Sequence, residues 1–261
     1  MPDSLRGLRM VLTRPAGQNE ALAARVQAAG GDVLVMPLLA IAPPACPVAA
    51  DALLVQLSQA DTIIFISPNA VRMACAVLPA AHWPKEKRWA AIGKGTAQAL
   101  HQAGVLDVLT PEHGADSEGL LALECFSQLA GQDVLLVRGE GGRDLLAHTL
   151  IERGAHVDHA VVYRRLACPQ DTEALRQFAA GQRLLMVITS SEALRVLMDA
   201  GDAAWLRTQD FLWAHPRIAQ QAALLGLNHG MIAPSPEDDA VFAALLKYAR
   251  QPPPNTPESL P

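Results

Sequence analysis

Short runs of Val, Ile and Leu alternate along the chain with longer stretches in which apolar residues recur every three to four positions. Near-continuous apolar runs are what parallel strands buried on both faces look like, and the stretches between them fit crossover helices, so the pattern predicts βαβ units. Residues 10–13 read as a strand, 18–29 as a helix and 33–36 as the next strand. A middle block follows, with strands over 62–66, 90–92, 108–109, 134–137 and 157–163, each but the last leading into a helix. The final third has strands over 184–189, 211–214 and 231–233, with helices over 192–198, 217–225 and 237–249.

Two proline breaks interrupt this alternation. Ala42-Pro43-Pro44 with Pro47, and Cys168-Pro169, can continue neither helix nor inner strand, because proline fixes φ and has no N–H to donate. They bracket the middle block and leave the first strand-helix-strand on the same side as the last third. The expected organisation is one discontinuous domain of residues 1–39 with 167–250 and an inserted domain of residues 40–166. Residues 251–261, rich in proline and polar residues, read as a disordered tail.

The two parts are related. Thr13-Arg14-Pro15, Gly17 and Gly30-Gly31-Asp32-Val33 are echoed by Arg138, Gly141 and Gly154-Ala155-His156-Val157 at one offset (138 − 14 = 124). The same offset matches Ser67 with Ser191, and later it slips to 226 − 104 = 122 at Gly104 and Gly226. A repeat this long is a duplicated α/β domain rather than a solenoid. A cleft between two such domains is the default ligand site, since open parallel sheets bind at the carboxyl ends of their strands.

Composition narrows the ligand. Hydrophobic residues make up 51% of the 261 residues but aromatics only 4%, so Ala, Leu and Val must supply the packing. A net charge of −5 provides no global attraction for nucleic acid or an anionic membrane, so an acidic ligand would need a local cluster of donors. No apolar run approaches the ~18 residues of a membrane span, and no apolar core follows a basic N-terminal region, which makes a cytoplasmic location the expectation. Cys46, Cys75, Cys125 and Cys168 form no C-x-x-C pair, so no zinc or redox site is signalled and the thiols are expected to be buried.

Candidate chemistry sits where strands meet helices. Thr13 to Gln18 and its copy Arg138-Gly139-Glu140-Gly141-Gly142-Arg143 are one pair of such turns; Ser67-Pro68-Asn69-Ala70 and Ser190-Ser191-Glu192-Ala193 are another. A helix N-terminus offers unpaired N–H groups and positive potential, so with added hydroxyls and arginines these turns could cradle carboxylates or phosphates. Each serine could equally be a helix cap, with Pro68 at the first helical position. Gly93-Lys94-Gly95-Thr96 is a further turn of this kind, but it is neither a Walker loop nor a G-x-G-x-x-G fingerprint. Its repeat counterpart, His215-Pro216-Arg217-Ile218, has lost both glycines and gained a cation.

Tyr163, one of two tyrosines, ends a strand just before Arg164-Arg165 and the second break. Its phenol could donate a proton to a leaving group, or its ring could simply fill an interface. No H-E-x-x-H, G-x-S-x-G or paired-carboxylate motif accompanies it.

Taken in order and spacing, Val11-Leu12-Thr13-Arg14-Pro15, Phe65-Ile66-Ser67-Pro68-Asn69-Ala70-Val71, Ala91-Ile92-Gly93-Lys94-Gly95-Thr96-Ala97, the turn from Arg138 to Arg143, Val161-Val162-Tyr163-Arg164 and Val187-Ile188-Thr189-Ser190-Ser191 resemble the uroporphyrinogen-III synthase family over nearly the whole chain. The resemblance implies an α/β fold of two flavodoxin-like parallel-sheet domains, one discontinuous, joined by a two-stranded connection with an interdomain cleft. It implies a cyclising hydro-lyase of tetrapyrrole and heme biosynthesis that works without cofactor or metal. The linear tetrapyrrole hydroxymethylbilane loses hydroxide from ring A, is attacked by the substituted carbon of ring D, and rearranges through a spirocycle to uroporphyrinogen III.

On this likeness Tyr163 is the proton donor to the leaving hydroxyl. The eight substrate carboxylates would meet Arg14, Ser67, Asn69, Lys94, Thr96, Arg138, Gly139, Ser190, Ser191, Pro216 and Arg217. The turn at Pro216 departs from the family's glycine-threonine pattern and leaves that side open. The implied state is a monomer that binds neither nucleic acid nor membrane, with transient contact to neighbouring pathway enzymes as an open alternative. The competing class is a non-catalytic bilobal small-molecule binding or sensor module, which could share the fold without turnover.

Overall fold

A computed structural model describes residues 4–111, 116–141, 144–200 and 202–250. Gly142 and Arg143 of the second arginine turn, and the tail read as disordered, lie outside the described residues.

The chain opens with β1 (Arg9–Leu12), α1 (Glu20–Ala28), β2 (Asp32–Val35) and β3 (Leu39–Ala42). Then come α2 (Ala50–Gln59), β4 (Thr62–Phe65), α3 (Pro68–Val77), β5 (Arg88–Ala91), α4 (Lys94–Gln102), β6 (Val108–Leu109), α5 (Ser117–Leu121), β7 (Asp133–Gly139), α6 (Leu145–Glu152) and β8 (His156–Ala167). The last third holds α7 (Thr172–Ala179), β9 (Leu185–Ile188), α8 (Ser191–Ala200), α9 (Ala203–Leu206), β10 (Asp210–Trp213), α10 (Pro216–Leu224), β11 (Gly230–Ile232) and α11 (Asp238–Ala249).

Two compact units result, one of Met1–Ala40 with Ala167–Pro261 and one of Ile41–Leu166. The chain passes from one unit to the other inside strands: β3 and β8 are hydrogen-bonded neighbours, and each contains one crossing. The apolar pattern predicts no strand at β3, and the expected proline linker begins at its last residue, Ala42. Pro43-Pro44 instead ends β3, whose four residues are too short a run to stand out beside them.

In the first unit the sheet runs β2-β1-β9-β10-β11, all neighbours parallel. In the second it runs β3-β8-β7-β4-β5-β6, with β8 through β6 parallel. Numbered along the repeat, β7, β8, β4, β5 and β6 are the counterparts of β1, β2, β9, β10 and β11, so both sheets share the flavodoxin-like order 2-1-3-4-5. Each unit therefore takes its first two strands from one half of the repeat and its last three from the other.

Strand pairing also corrects the repeat register. Thr62 lies beside Val134, whose counterpart Met10 lies beside Leu185, so Thr62 corresponds to Leu185 (185 − 62 = 123). Ser67 therefore matches Ser190 and not Ser191. Both strands are buried on both faces, so their apolar runs carry no alternation that could fix a one-residue shift.

Each sheet has a core on both sides. Along β4, Ile63 and Phe65 join one cluster while Ile64 joins the opposite one. Along β9, Leu185 and Val187 face one cluster and Met186 and Ile188 the other. The scarce aromatics concentrate in stacks, Phe65–Trp83–Trp89 with centroids 5.4 and 5.6 Å apart and Phe211–Trp213 at 4.6 Å. The expectation of buried thiols fails: Cys46 and Cys125 are exposed and Cys75 and Cys168 only half-buried, because two of them fall in a proline-flanked loop and a short 3₁₀ turn. Among the described residues no helix is long and apolar enough to cross a membrane.

One buried polar cluster ties the end of the chain to its sheet. Asp210, at the start of β10 and buried, accepts a hydrogen bond from the Tyr248 hydroxyl of α11 at 2.7 Å and from the Arg183 guanidinium at 3.4 Å. Burial, and then the bond to Asp210, push the Tyr248 phenol well above its ordinary pKa. Asp210→Ala strands both donors. Because Arg183 is partly solvated, the expected loss is about 2–3 kcal/mol, read as a lower urea midpoint at unchanged m-value.

Candidate active site at the carboxyl ends of the strands

In the second unit, β4, β5 and β7 end at one edge of the sheet, and β8 runs on past that edge. The register between β7 and β8 shifts here: Arg138 lies beside Val161 but Gly139 beside Tyr163, so β8 carries an extra residue. Such a bulge re-aims the side chain that follows it. The Tyr163 ring is laid across the bare backbone of Gly139, where a Cβ would stand 2.6 to 2.9 Å from three of its carbons. A backbone hydrogen bond from Glu140 N–H to Tyr163 O at 2.7 Å holds this geometry.

The ring is 2% exposed and belongs to the apolar cluster under α3. Its hydroxyl lies 3.1 Å from Ser67 Oγ, and either atom can be the donor. Ser67 is also the N-cap of α3, accepting the Ala70 N–H at 3.0 Å, with Pro68 following at the first helical position. Since that bond occupies a lone pair, Ser67 is free to give its single proton to the Tyr163 oxygen, which leaves the phenolic proton for an outside acceptor. One atom, Ser67 Oγ, thus both caps α3 and meets the Tyr163 hydroxyl.

The other expected residues of this unit divide into two groups. Asn69 accepts from Arg72 Nη2 at 2.6 Å. Lys94 is exposed at the start of α4, Thr96 is buried in its first turn, and a Cβ at Gly95 would meet only Pro68 at 3.9 Å, so this helix start is open to a ligand. Arg138 is different: it is 8% exposed and donates to Asp144 Oδ1 at 3.0 Å and to Gly141 O at 2.6 Å. The bond from Arg138, and then its charge, hold the Asp144 carboxyl below its usual pKa.

The first unit repeats this division. Ser190 caps α8 by accepting the Ala193 N–H at 3.0 Å, and Ser191 is the first residue of that helix. Pro216 and Arg217 open α10 and are exposed. His215 Nδ1 accepts the Arg217 N–H at 3.1 Å, so a histidine cap replaces the lost glycine turn, a role that the chain's spacing did not reveal. Arg14 donates to Asp238 Oδ1 and, at 2.6 Å, to Pro236 O. Arg14 and Arg138, the two guanidiniums expected to meet substrate carboxylates, are each held by a carboxylate and a carbonyl of this chain. Tyr163 has no phenolic counterpart, since the repeat puts Leu39 in its place (163 − 39 = 124).

A groove of about 500 Å³ lies at the other edge of the second unit's sheet, beside α2 and the starts of β7 and β8, lined by Gln56, Asp133, His156 and Asp158 among others. It is remote from the Ser67–Tyr163 cluster. Among the described residues no group of His, Cys, Asp or Glu side chains is arranged to hold a metal ion.

A family model described as "Uroporphyrinogen-III synthase HemD" matches residues 20–243. The chain is 35% identical over 247 residues to the uroporphyrinogen-III synthase of Salmonella typhimurium, covering 91% of this chain and all of that one. It is 32% identical over 246 residues to that of Escherichia coli, with the same coverage. Among solved structures, a mutant uroporphyrinogen III synthase of Thermus thermophilus superposes with a TM-score of 0.61 at 18% identity, over 93% of this chain and all of that one. A uroporphyrinogen-III synthetase from Helicobacter pylori gives 0.60 at 16%, over 92% and 100%. At these identities the structural likeness shows the shared two-domain α/β fold.

Proposed function

Because the chain belongs to the uroporphyrinogen-III synthase family, we propose that it cyclises hydroxymethylbilane to uroporphyrinogen III, with Tyr163 as the proton donor to the departing ring A hydroxyl. The observation that carries the assignment of Tyr163 is its hydroxyl, 3.1 Å from the Ser67 cap at the carboxyl edge of the sheet. The pyrrole nitrogen of ring A drives ionisation. The phenol supplies the proton that turns hydroxide into water, and the Ser67 hydroxyl and the positive end of α3 stabilise the phenolate that remains. Attack by ring D then forms the spirocycle. After fragmentation and reclosure, the proton lost as ring D regains aromaticity restores the phenol, so one water leaves per turnover.

Folding a flexible chain of four pyrroles is chiefly a matter of position. On this reading Asn69, Lys94, Thr96 and the Gly139 backbone hold substrate carboxylates on the second unit, and Ser190, Ser191, Pro216 and Arg217 offer the same kind of donors on the first. Arg14 and Arg138 act by fixing the turns that carry these groups. The reaction needs no cofactor, and we place it in the cytoplasm on a monomer.

The test is direct. The protein incubated with fresh hydroxymethylbilane, followed by oxidation and isomer separation, is expected to yield mainly the type III porphyrin. Type I alone, the product of spontaneous closure, would instead leave a binding or sensor module.

A further inference from the structure

We propose that Arg72 is an anchor for one substrate carboxylate beside the Tyr163 hydroxyl. This rests on the reading of the protein as a hydroxymethylbilane cyclase and extends it to a residue that the turn motifs do not include.

Arg72 lies on α3, the helix whose cap touches Tyr163. It is exposed, and one edge of its guanidinium is held by the Asn69 carbonyl oxygen at 2.6 Å. No carboxylate among the described residues pairs with it. The repeat shows that this is specific to one copy. Its counterpart in the corrected register is Arg195 (195 − 72 = 123), which pairs with Asp199 at 3.0 Å one helical turn on. At the equivalent place in α3 stands Ala76. Thus the duplicated arginine is paired on α8 and, among the described residues, left without a counter-ion on α3, in the unit that also holds the phenol.

Arg72 stands five residues, about one and a half helical turns, after the Ser67 cap that touches Tyr163 (72 − 67 = 5). Partial burial lowers its pKa, and its electrostatic interaction with Tyr163 acts the other way. A guanidinium remains charged at any working pH. Fixed by Asn69, its planar fork has less freedom to lose when it takes a carboxylate in two parallel bonds. An acetate or propionate held there would bring the pyrrole bearing it to the proton donor.

Initial rates of type III formation over a range of hydroxymethylbilane concentrations test this. Arg72→Met is expected to raise KM about tenfold or more, with a smaller change in kcat, and the gap from wild type should narrow as salt is added. Arg72→Lys should recover part of the affinity. Arg72→Gln keeps a donor for Asn69 without the charge and should behave as Arg72→Met does. Arg195→Met should leave KM within about twofold, as expected for an exposed ion pair. The proposal is overturned if Arg72→Met stays within that range of wild type, if Arg72→Gln restores KM, or if Arg195→Met weakens binding equally. Should the wild-type protein yield only the type I isomer, the enzymatic reading itself would fail, a result visible before any variant is made.

Discussion

Tyr163→Phe is expected to lower the initial rate of type III formation by ~10²-fold or more, the range for loss of a positioned general acid, while the fold stays intact. The phenylalanine ring occupies the same space across Gly139, so packing is preserved. Ser67 keeps its bond from Ala70 and loses only the contact at 3.1 Å, a change worth about 1 kcal/mol of stability. Tyr163→Ala would differ, emptying a site that is 2% exposed and lowering stability as well. Since hydroxymethylbilane also closes unaided to type I, the isomer ratio separates a lost proton donor from lost substrate binding. Near-normal turnover in Tyr163→Phe would transfer the proton to a bound water or a substrate carboxylate and leave Tyr163 as a packing residue.

Gly139→Ala should be nearly as damaging, although it adds only one methyl group and removes no titratable one. The new Cβ would fall 2.6 Å from the nearest ring carbon, so the ring must move by roughly the 1 Å that is enough to cost ~10²-fold in a positioned site. Unlike Tyr163→Phe, this substitution strains the folded state, by about 1–3 kcal/mol as overpacking usually does. The double variant distinguishes the two effects. If both act through the one hydroxyl, Gly139→Ala combined with Tyr163→Phe should be no slower than Tyr163→Phe alone, yet as destabilised as Gly139→Ala. Additive losses in rate would mean that Gly139 acts on the substrate by another route, such as close approach of its backbone.

Local patterns in the chain carried the strand-helix order, because an apolar run between glycine and proline stops records burial residue by residue. Three things were hidden, each for a physical reason. The strand at Leu39–Ala42 is defined by its pairing with β8, more than a hundred residues away, and leaves little local trace. The one-residue change of repeat register at β9 is invisible in strands buried on both faces, and it moved the counterpart of Ser67 from Ser191 to Ser190. Arg14 looks like a free cation in its turn, yet its partner Asp238 lies 224 positions later. At the candidate site, the serine turn, the glycine at 139 and the tyrosine at 163 could each be picked out by type and position. Their convergence on one hydroxyl depends on a strand bulge that no spacing reveals. Arg72 carries no signal in the chain, because a lone arginine on a helix is usually a solvated surface residue; the contrast with the paired Arg195 is what sets it apart.

The exchange of strands between the two halves of the repeat also governs how the chain can fold as it is synthesised. Ile41–Leu166 is continuous and can complete its sheet as soon as it has emerged from the ribosome. The opening strand cannot: Met10 on β1 waits for its neighbour Leu185 on β9, 175 residues later (185 − 10). At translation rates of roughly 5–20 residues per second, that wait is on the order of 10–30 s. For that time a strand whose Met10, Val11 and Leu12 are buried in the finished protein has β2 on one side and an open edge on the other. Nascent-chain chaperones, or premature pairing with another copy's β9, would act on this intermediate before the first unit's sheet is complete.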